Sequence, residues 1–491
     1  MATIVESGPI TNFAKAEVAV HLQLRVAGAI SSAIFYGLLG LMMVIAAPYG
    51  GVQPLWDAHF QAIVFLFAVF WIIEGALNGS WFLAEHRLFI PCLVLAAFAW
   101  VQSVSFGSLD LTVFGIHAGA IKSISADPYE TGCVARKLIA LIVAGSLLLR
   151  YTNTNRRFKC LVFAIIGIGI LSSVFGIARQ TMQGEAPNFV LASLKPHDSG
   201  YAQFINKNHF AFLIEMSLGL VLGLLLAARR KLDWAPAYLT AALVLAATII
   251  LSNSRAGVFS MLAQLIFLSV LLVVLAFRDR THLDLEPRSR WRTLAFLFAG
   301  TLVCLFLLSS ILGGILWFGG EPLMERMAAL SSEVRSTVED HSGVRRVEIW
   351  QATLREIKSH PILGIGFGGF STAITKEHDA TGEWTPEAAH NDYLELMVSG
   401  GLIGAAFVAW FGIAFFQLAR RRLASRDPFR RASCIGALTG IFAVASHSLV
   451  DFGLHITVNQ VVFVGLIVVA TLGERIEEKP LLRGKANLIT C

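Results

Sequence analysis

The chain has 491 residues, of which 56% are hydrophobic and only 15% are charged, and its mean hydropathy is +0.67. Soluble domains have a much lower mean hydropathy, and apolar runs of about 18 residues or more, long enough to cross a bilayer as a helix, recur along this chain. The composition therefore predicts an all-α integral membrane protein. The net charge of +6 does not indicate a nucleic-acid-binding protein, because the basic residues lie in short loops whereas the aromatic residues lie mostly in the apolar runs.

Twelve apolar runs are predicted to form transmembrane helices. They lie at about residues 27–47, 60–77, 87–104, 137–150, 159–178, 208–228, 235–252, 257–277, 293–316, 399–419, 432–450 and 456–473. The fourth run is short, so we expect its helix either to be broken or to extend back toward Thr131. The six cysteines contain no CxxC pair, so neither a zinc site nor a disulfide framework is indicated.

The loops between these runs differ in their content of lysine and arginine. Basic clusters occupy 156–159, 229–231, 278–292 and 420–431, whereas the alternate short loops 48–59, 253–256 and 451–455 contain one basic residue, Arg255. Basic loops of membrane proteins face the cytoplasm. We therefore predict a cytoplasmic tail at 1–26 without a cleaved signal peptide, nine helices in 27–316, a large outer loop forming a subdomain at 317–398, three helices in 399–473 and a second cytoplasmic tail at 474–491.

Arg255 interrupts the charge pattern of the short outer loops. An arginine at the membrane edge is costly unless it is paired or hydrated, so it is a functional candidate. Its planar guanidinium has the geometry to bind a phosphate or diphosphate. The alternative is an anchor whose charged head reaches the membrane surface while its stem stays in the apolar layer.

The first part of the outer loop is predicted to be a helix, because apolar residues recur with helical spacing until Pro361, at Val347, Trp350, Leu354 and Ile357. Arg345 and Arg346 lie at its start, where the positive end of the helix dipole favours anions. The alternative is a solvated face on which both arginines pair with nearby carboxylates. Arg346 lies one helical turn before Trp350 and is the preferred ligand-binding residue.

His390 is predicted to lie on a second loop helix, which begins with Thr385 as its cap and Pro386 as its first residue and continues into the tenth run. Histidine titrates near neutral pH and can accept a proton from a hydroxyl nucleophile. The alternative is a structural histidine, and three other histidines on the outer side compete for the role, namely His360, His378 and His455.

Two further patterns concern cofactors and sugars. The run 364–369 contains GxGxxG, but it follows a proline and lacks a strand–turn–helix context, so we predict a tight turn and no dinucleotide site. The outer loops contain neither a paired-acid motif nor HExxH, so no metal or other cofactor is predicted. A polar cluster at the start of the sixth run either binds sugar hydroxyls or caps that helix; it comprises Tyr201, Gln203, Asn206, Lys207, Asn208 and His209.

Four stretches carry a family resemblance: Ser254-Arg255-Ala256-Gly257, Arg346-Val347-Glu348-Ile349-Trp350, His360-Pro361-Ile362-Leu363-Gly364-Ile365-Gly366 and His390-Asn391-Asp392-Tyr393-Leu394. In this order, with a large outer loop and about twelve spans, they resemble the bacterial O-antigen ligase and polysaccharide polymerase superfamily. The resemblance covers about residues 200–410, whereas the first two hundred residues agree only in hydropathy.

This resemblance implies a metal-independent, inverting glycosyltransferase at the periplasmic face of the bacterial inner membrane. The donor would be a glycan on a polyprenyl diphosphate, typically undecaprenyl diphosphate. Arg255 and Arg346 would hold the diphosphate, and His390 would orient or deprotonate the acceptor hydroxyl. The other expected substrate contacts are Arg345, Asn208, Trp350, Asn391, Asp392 and Tyr393. The expected partners are the lipid-linked glycan, a glycan or lipid acceptor, membrane lipid and polysaccharide-assembly proteins, with no nucleic acid.

The sequence leaves the acceptor open among lipid A core, a growing polysaccharide and a protein side chain. Two other function classes also remain. A transporter or flippase of lipid-linked glycans would need ionisable residues near mid-membrane or paired broken helices in two related halves, whereas the charges here cluster at the outer edge. A non-catalytic scaffold of envelope-polysaccharide assembly would tolerate replacement of Arg255 or His390.

Overall fold

The structure is a computed structural model. It describes residues 9–81, 85–104, 123–181, 200–228, 234–281, 346–377 and 386–473. Several predictions lie outside these described residues, among them the ninth apolar run at 293–316, residues 317–345 of the predicted outer loop, which include Arg345, and the competing histidine His378.

The described residues form thirteen α-helices and, apart from one isolated bridge between Tyr201 and Phe204, no β structure. The helices are α1 (Pro9–Ala46), α2 (Pro54–Asn78), α3 (His86–Ser103), α4 (Pro128–Tyr151), α5 (Asn155–Thr181), α6 (Lys207–Ala228), α7 (Ala235–Leu251), α8 (Arg255–Thr281), α9 (Arg346–Ser359), α10 (Phe370–Ile374), α11 (Asp392–Arg422), α12 (Pro428–His447) and α13 (Thr457–Thr471). Eleven of them coincide with predicted apolar runs, and α9 and α10 belong to the segment predicted as the outer loop. The predicted all-α fold is confirmed.

Length and composition qualify seven of the described helices to cross a membrane, namely α1, α2, α4, α5, α6, α8 and α11. Three shorter apolar helices, α3, α7 and α13, accompany them. The fourth predicted run extends back past Thr131, because Asp127 accepts a hydrogen bond from the N–H of Glu130 and so caps α4 ahead of Pro128.

Helices α6 and α12 pack backbone to backbone. Gly219 and Gly223 of α6 face Gly436 and Gly440 of α12, and a Cβ atom added at Gly219 would lie 2.5 Å from the backbone nitrogen of Gly440. Small residues four apart allow two membrane helices to approach this closely. Because α6 begins at Lys207 and α12 ends at His447, this contact brings the polar start of α6 beside the loop that follows α12.

Alternate helix ends meet at opposite ends of the bundle. At one end Thr457, at the start of α13, donates a hydrogen bond to Asp57 of α2 (2.9 Å). At the other end Arg150 of α4 pairs with Glu74 of α2 (2.9 Å). We call the first the site end and the second the basic end, since Arg422 and Arg430 also lie there, bonded to the C-terminal end of α13. Which end faces which compartment remains a prediction from the basic loops.

The glycine-rich segment is the tight turn that was predicted. Gly364, Gly366 and Gly368 have φ values of 70°, 92° and 87°, a region that favours glycine. The turn packs against a break in α11 at Gly401, where φ is 58° and ψ is −160°. Backbone N–H groups of residues 365 and 366 donate to the carbonyls of residues 398 and 399, and those of 402 and 403 donate to 361 and 362. The loop thereby satisfies the backbone groups that the break exposes.

The helix predicted before Pro361 is confirmed as α9. The apolar stripe that indicated it is not the buried face, because Val347 and Leu354 are 45% and 46% exposed while Ile349 and Ala352 are buried. These two pack with Ile365 and other loop residues in a small core of their own. Packing against the loop residues therefore decides which side of α9 is buried, and this side differs from the one with the most regular hydrophobic spacing.

The prediction of a helix starting at Pro386 is wrong. Residues 386–391 are not helical, and α11 begins only at Asp392. Asn391 is the cap, since its side chain accepts hydrogen bonds from the N–H groups of Tyr393 and Leu394. His390 therefore precedes the helix instead of lying on its face.

Candidate active site

The site end is organised by a carboxylate in the short segment between α12 and α13. Asp451 is completely buried. Its Oδ2 accepts a hydrogen bond from the side-chain amide of Asn208, and its Oδ1 accepts one from the backbone N–H of Phe452 (2.8 Å). These bonds fix the carboxylate between the start of α6 and its own loop.

Three cationic or titratable side chains surround this carboxylate. His209 Nε2 lies 3.7 Å from Asp451 Oδ1, His390 Nδ1 lies 3.9 Å from the same oxygen, and Arg346 Nη2 lies 3.9 Å from Oδ2. The three come from α6, from the segment before α11 and from α9. Residues that are far apart in the sequence therefore meet around one acid.

The charge of Asp451 follows from this environment. Burial alone would raise its pKa, but the neighbouring imidazole of His209, together with His447 and Arg346, holds the pKa of Asp451 below the usual carboxyl range. The carboxylate is therefore ionised at neutral pH. An ionised acid at this distance stabilises a proton on a neighbouring imidazole.

His390 is held in an unusual backbone conformation. Its φ of 50° lies in the left-handed region, which costs free energy for a residue with a side chain. The side chain is 11% exposed, and its ring packs edge-on against Phe452 with centroids 4.8 Å apart. Because Nδ1 is the ring nitrogen near Asp451, a proton on Nδ1 leaves Nε2 as the nitrogen that can accept a proton from a substrate.

Asn391 and Asp392 hold His390 in place. Besides capping α11, Asn391 donates from its amide to the carbonyl of Leu449 (2.8 Å). Asp392 accepts a hydrogen bond from the hydroxyl of Ser448 (2.6 Å), and its backbone N–H donates to the carbonyl of Ser448 (3.0 Å). The motif residues after His390 thus tie its segment to the loop that carries Asp451.

Trp350 and Tyr393 each donate a side-chain hydrogen bond to a backbone carbonyl near the site. The indole N–H of Trp350 donates to the carbonyl of Ala389 (2.9 Å), and the hydroxyl of Tyr393 donates to the carbonyl of Ala445 (2.8 Å). Glu395 accepts a hydrogen bond from the N–H of Ala389 (2.9 Å). These polar atoms brace the His390 segment, and their expected contacts with a substrate remain predictions.

Arg346 lies at the start of α9 and reaches the same loop. Its Nη1 donates to the carbonyl of Val450 (2.9 Å), and the side chain is 28% exposed. The guanidinium has five N–H donors, more than this carbonyl uses. The sequence preference for Arg346 is consistent with this position, whereas Arg345 lies outside the described residues.

Arg255 is connected to the residues around Asp451 through the preceding residue, Ser254. The hydroxyl of Ser254 donates to Asn208 Oδ1 (2.7 Å) and accepts the N–H of Gly257 (3.0 Å), so it both caps α8 and contacts the residue that binds Asp451. Arg255 is the first residue of α8 and is exposed. Asn208, expected to bind substrate, uses both ends of its amide in linking Ser254 to Asp451.

The histidines that compete with His390 for the role of base lie in different parts of the structure. His360 is 53% exposed and pairs with Glu356 at the end of α9 (3.2 Å). His455 lies at the site end, with its Nε2 3.7 Å from Asp392 Oδ1 and 3.6 Å from Glu395 Oε1. From the polar cluster at 201–209, Asn208 and His209 enter the network, whereas Gln203 donates to Ser172 (2.7 Å).

Sequence reasoning missed Asp451 altogether. The available signal was a carboxylate in a five-residue loop between two apolar runs, a place where an ionisable group is costly and therefore informative. Among the described residues, no group of three or more histidine, cysteine, aspartate or glutamate side chains is arranged to hold a metal ion.

Comparison with known proteins adds one finding. Residues 239–409 match the model of a family described as O-antigen ligase. No curated protein matches the chain. The matched segment runs from α7 into α11 and includes Arg255, Arg346 and His390, whereas Asn208 and Asp451 lie outside it.

Proposed function

We propose that this chain, a multi-pass membrane protein of the O-antigen ligase superfamily, transfers a glycan from a polyprenyl diphosphate to an acceptor hydroxyl at its site end. The observation that carries the proposal is the convergence of His390, Arg346 and the Ser254–Arg255 turn on the buried, ionised Asp451. A base and cations that meet on one surface match the needs of this reaction.

The proposed reaction is one displacement at the anomeric carbon of the donor. The acceptor oxygen forms a bond to that carbon as the bond from the carbon to the diphosphate oxygen breaks. The diphosphate leaves with the electron pair, and the acceptor proton passes to Nε2 of His390. Attack opposite the leaving group inverts the anomeric configuration, and the products are the extended acceptor and the polyprenyl diphosphate.

Arg255 and Arg346 would stabilise the departing diphosphate. Charge accumulates on its oxygens as the glycosidic bond breaks, and guanidinium groups can donate paired hydrogen bonds to such oxygens. Arg346 approaches from α9 and Arg255 from the start of α8, on segments that the Asn208–Asp451 link connects. We infer that the diphosphate lies between these two elements.

Asp451 would support His390 during proton transfer. Once His390 has accepted the proton it carries a positive charge, which the carboxylate 3.9 Å from Nδ1 stabilises. The same carboxylate selects the tautomer with the proton on Nδ1. Asp451 therefore acts as a positioning residue, and His390 as the catalytic base.

The proposal extends to the side of the membrane and to the acceptor. The basic loops support an orientation in which the site end faces the periplasm of a bacterial inner membrane, and the polyprenyl chain would lie along apolar helix faces. Lipid A core, a second lipid-linked glycan and a protein hydroxyl are all chemically competent acceptors.

A transporter of lipid-linked glycans is the second candidate function. It is favoured by the break in α11 and by Glu215 and His447, which form a buried carboxyl–imidazole pair inside the bundle (2.8 Å). This pair corrects the expectation that ionisable residues cluster at the outer edge. A transporter moves the donor across the membrane without breaking its glycosidic bond.

Purified protein would decide between the two in a transfer assay with EDTA present, using a polyprenyl-diphosphate glycan and each of the three acceptors. Glycosyl transfer predicts a gain of glycan mass on one acceptor and release of polyprenyl diphosphate. If every acceptor stays unmodified while intact donor moves across proteoliposomes, the protein is a transporter.

A further inference from the structure

Two carboxyl groups and an imidazole converge beside the candidate base. Asp392 and Glu395 lie three residues apart in the first turn of α11, on the same side of the helix. Asp392 Oδ1 lies 3.7 Å and Glu395 Oε1 lies 3.6 Å from Nε2 of His455, which belongs to the short 3₁₀ turn Gly453–His455 before α13. Polar atoms from two separate elements therefore meet in one place.

Each carboxyl group uses one oxygen to brace the protein and turns the other toward His455. Asp392 Oδ2 accepts the hydroxyl of Ser448 (2.6 Å), and Glu395 Oε2 accepts the N–H of Ala389 (2.9 Å). In the described part of the chain, neither of the other two oxygens nor Nε2 of His455 makes a hydrogen bond, and the 3.6–3.7 Å between them exceeds hydrogen-bonding distance. Their capacity to donate and accept is therefore available to a ligand.

The backbone of His455 is fixed, whereas its ring is open to solvent. Lys137 of α4 donates from Nζ to the carbonyl of His455 (3.2 Å) and pairs with Asp57 of α2 (3.2 Å). The N–H of His455 donates to the carbonyl of Phe452 (3.1 Å). The side chain of His455 is nevertheless 45% exposed. An exposed imidazole on a fixed backbone is preorganised to contact a ligand.

One aromatic ring joins this cluster to the base. Phe452 packs edge-on against the imidazoles of His390 and His455, with centroid distances of 4.8 Å and 5.5 Å. His209 contacts the same ring (4.9 Å), and its buried Nε2 makes no hydrogen bond to the described residues. A molecule bound at His455 therefore lies beside the nitrogen that would accept the proton of the reacting hydroxyl.

We propose that Asp392, Glu395 and His455 form an acceptor subsite, which binds the hydroxyl groups that neighbour the reacting hydroxyl on an acceptor sugar. This inference rests on the proposed function and narrows the acceptor class to a glycan. Two carboxyl oxygens and an imidazole nitrogen can bond two neighbouring hydroxyls at once. A serine or threonine side chain offers only one hydroxyl, which the reaction itself uses, so it would leave these polar groups without partners.

Hydroxyl groups fit this cluster in each of its protonation states. A carboxylate accepts a hydrogen bond from a hydroxyl, whereas a carboxylic acid also donates one. The imidazole of His455 donates or accepts at Nε2 according to its tautomer, and a sugar hydroxyl can do either. The class of ligand therefore follows from the positions of the atoms and not from an assumed charge.

Two variants test the subsite with a short synthetic glycoside that carries the terminal sugar of the acceptor. His455→Phe keeps an aromatic ring beside Phe452 but lacks both ring nitrogens. Glu395→Gln keeps an oxygen for the N–H of Ala389 and replaces the other oxygen with an amide NH₂. We expect the KM for the glycoside to rise about tenfold, roughly the value of one hydrogen bond to a charged group, while the KM for the donor keeps its native value.

His360→Phe is the matched control. His360 is also exposed, at 53%, and its Nδ1 also lies near a carboxyl group, that of Glu356 (3.2 Å), but it lies at the end of α9 and does not contact the Phe452 ring. The KM of this variant for the glycoside should equal that of the native protein.

Monodeoxy glycosides show whether these residues contact hydroxyl groups. Each one has hydrogen in place of one hydroxyl beside the reacting one. For at least one of them we expect a KM about tenfold higher in the native protein, and no further rise in His455→Phe or Glu395→Gln, because the contact is already lost. If the two residues only support the fold, the effects of the variant and of the missing hydroxyl will add.

The outcomes separate this inference from the proposed function. If the native protein transfers no glycan to any acceptor, the proposed function fails, and this inference fails with it. If it transfers glycan to a serine peptide as well as to the glycoside, the inference alone is overturned. The same holds if the KM for the glycoside is unchanged in the folded variants, or rises equally for every monodeoxy glycoside. His455→Phe decides the matter if Glu395→Gln does not fold, because the exposed ring of His455 makes no hydrogen bond within the described structure.

Discussion

The two ends of the helix bundle hold their charges in different ways. At the basic end two ion pairs between distant parts of the chain are close: Arg150 lies 2.9 Å from Glu74, and Arg422 lies 3.1 Å from Glu85. The hydroxyl of Tyr151 also donates to Glu74 (2.9 Å). These hydrogen-bonded pairs join helices, and their charges are balanced without a bound ligand.

At the site end Lys137 also lies close to Asp57 (3.2 Å), but the distances around Asp451 are longer. His209, His390 and Arg346 lie 3.7–3.9 Å from the oxygens of Asp451, beyond hydrogen-bonding distance. Asp451 is instead fixed by neutral donors, the amide of Asn208 and the N–H of Phe452. A carboxylate held by neutral groups can influence several cations without consuming their donors. The comparison indicates a structural role for the basic end and a chemical role for the site end.

Replacing His390 should cause the largest loss of glycan transfer. We expect His390→Ala to reduce transfer by about 10²- to 10⁴-fold, the usual contribution of a general base, with normal expression and lipid-donor binding. Initial rates of glycan transfer would measure this. The matched control is His360→Ala, which removes an exposed histidine of the same loop and should retain full activity. Equal rates for native protein and His390→Ala would remove His390 from the mechanism.

Arg346→Lys should have a smaller effect. Lysine retains the positive charge but lacks the planar fork that binds two diphosphate oxygens. We expect a loss of about tenfold in kcat/KM, roughly the value of one hydrogen bond to a charged group. Arg355→Lys is the control, because Arg355 is 52% exposed and pairs with Glu377. If Arg346→Lys and Arg355→Lys are equally active, a point charge suffices at this position.

The smallest expected effect is a loss of stability in a variant that disturbs the packing of α6 against α12. Alanine at Gly219 places its Cβ 2.5 Å from the backbone of Gly440, so α6 and α12 must separate. We expect a loss of about 1–3 kcal/mol in stability, measured as a lower thermal unfolding temperature in detergent. At Gly412, where an added Cβ meets nothing within 4 Å, the same substitution should leave stability unchanged or slightly higher. Similar unfolding temperatures for both variants would contradict the close α6–α12 contact.

Local patterns in the sequence were sufficient to predict the helices. Hydropathy is a property of a single run, and eleven predicted runs coincide with described helices. The tight glycine turn was also predictable, because three of its residues need positive φ. The break of α11 at Gly401 was not, since its backbone groups are satisfied by residues about forty positions earlier in the chain.

The site was only partly predictable for the same reason. His390 and Arg346 stand out as residue types at a membrane edge, but Thr385-Pro386 suggested a helix start that the side chain of Asn391 provides instead. The role of Asp451 depends on residues 61, 105 and 243 positions away, at His390, Arg346 and Asn208. A single sequence does not reveal such contacts.

The most direct test of the account is the stoichiometry of one turnover in native protein, Asp451→Asn and Glu74→Gln. Polyprenyl diphosphate released would be measured against glycan gained by the acceptor. We predict equal amounts of both products in native protein and in Glu74→Gln, and a rate at least about tenfold lower in Asp451→Asn, where the charge beside His390 is lost. Undiminished transfer by Asp451→Asn, or an equal loss in Glu74→Gln, would contradict the claim that Asp451 organises the site.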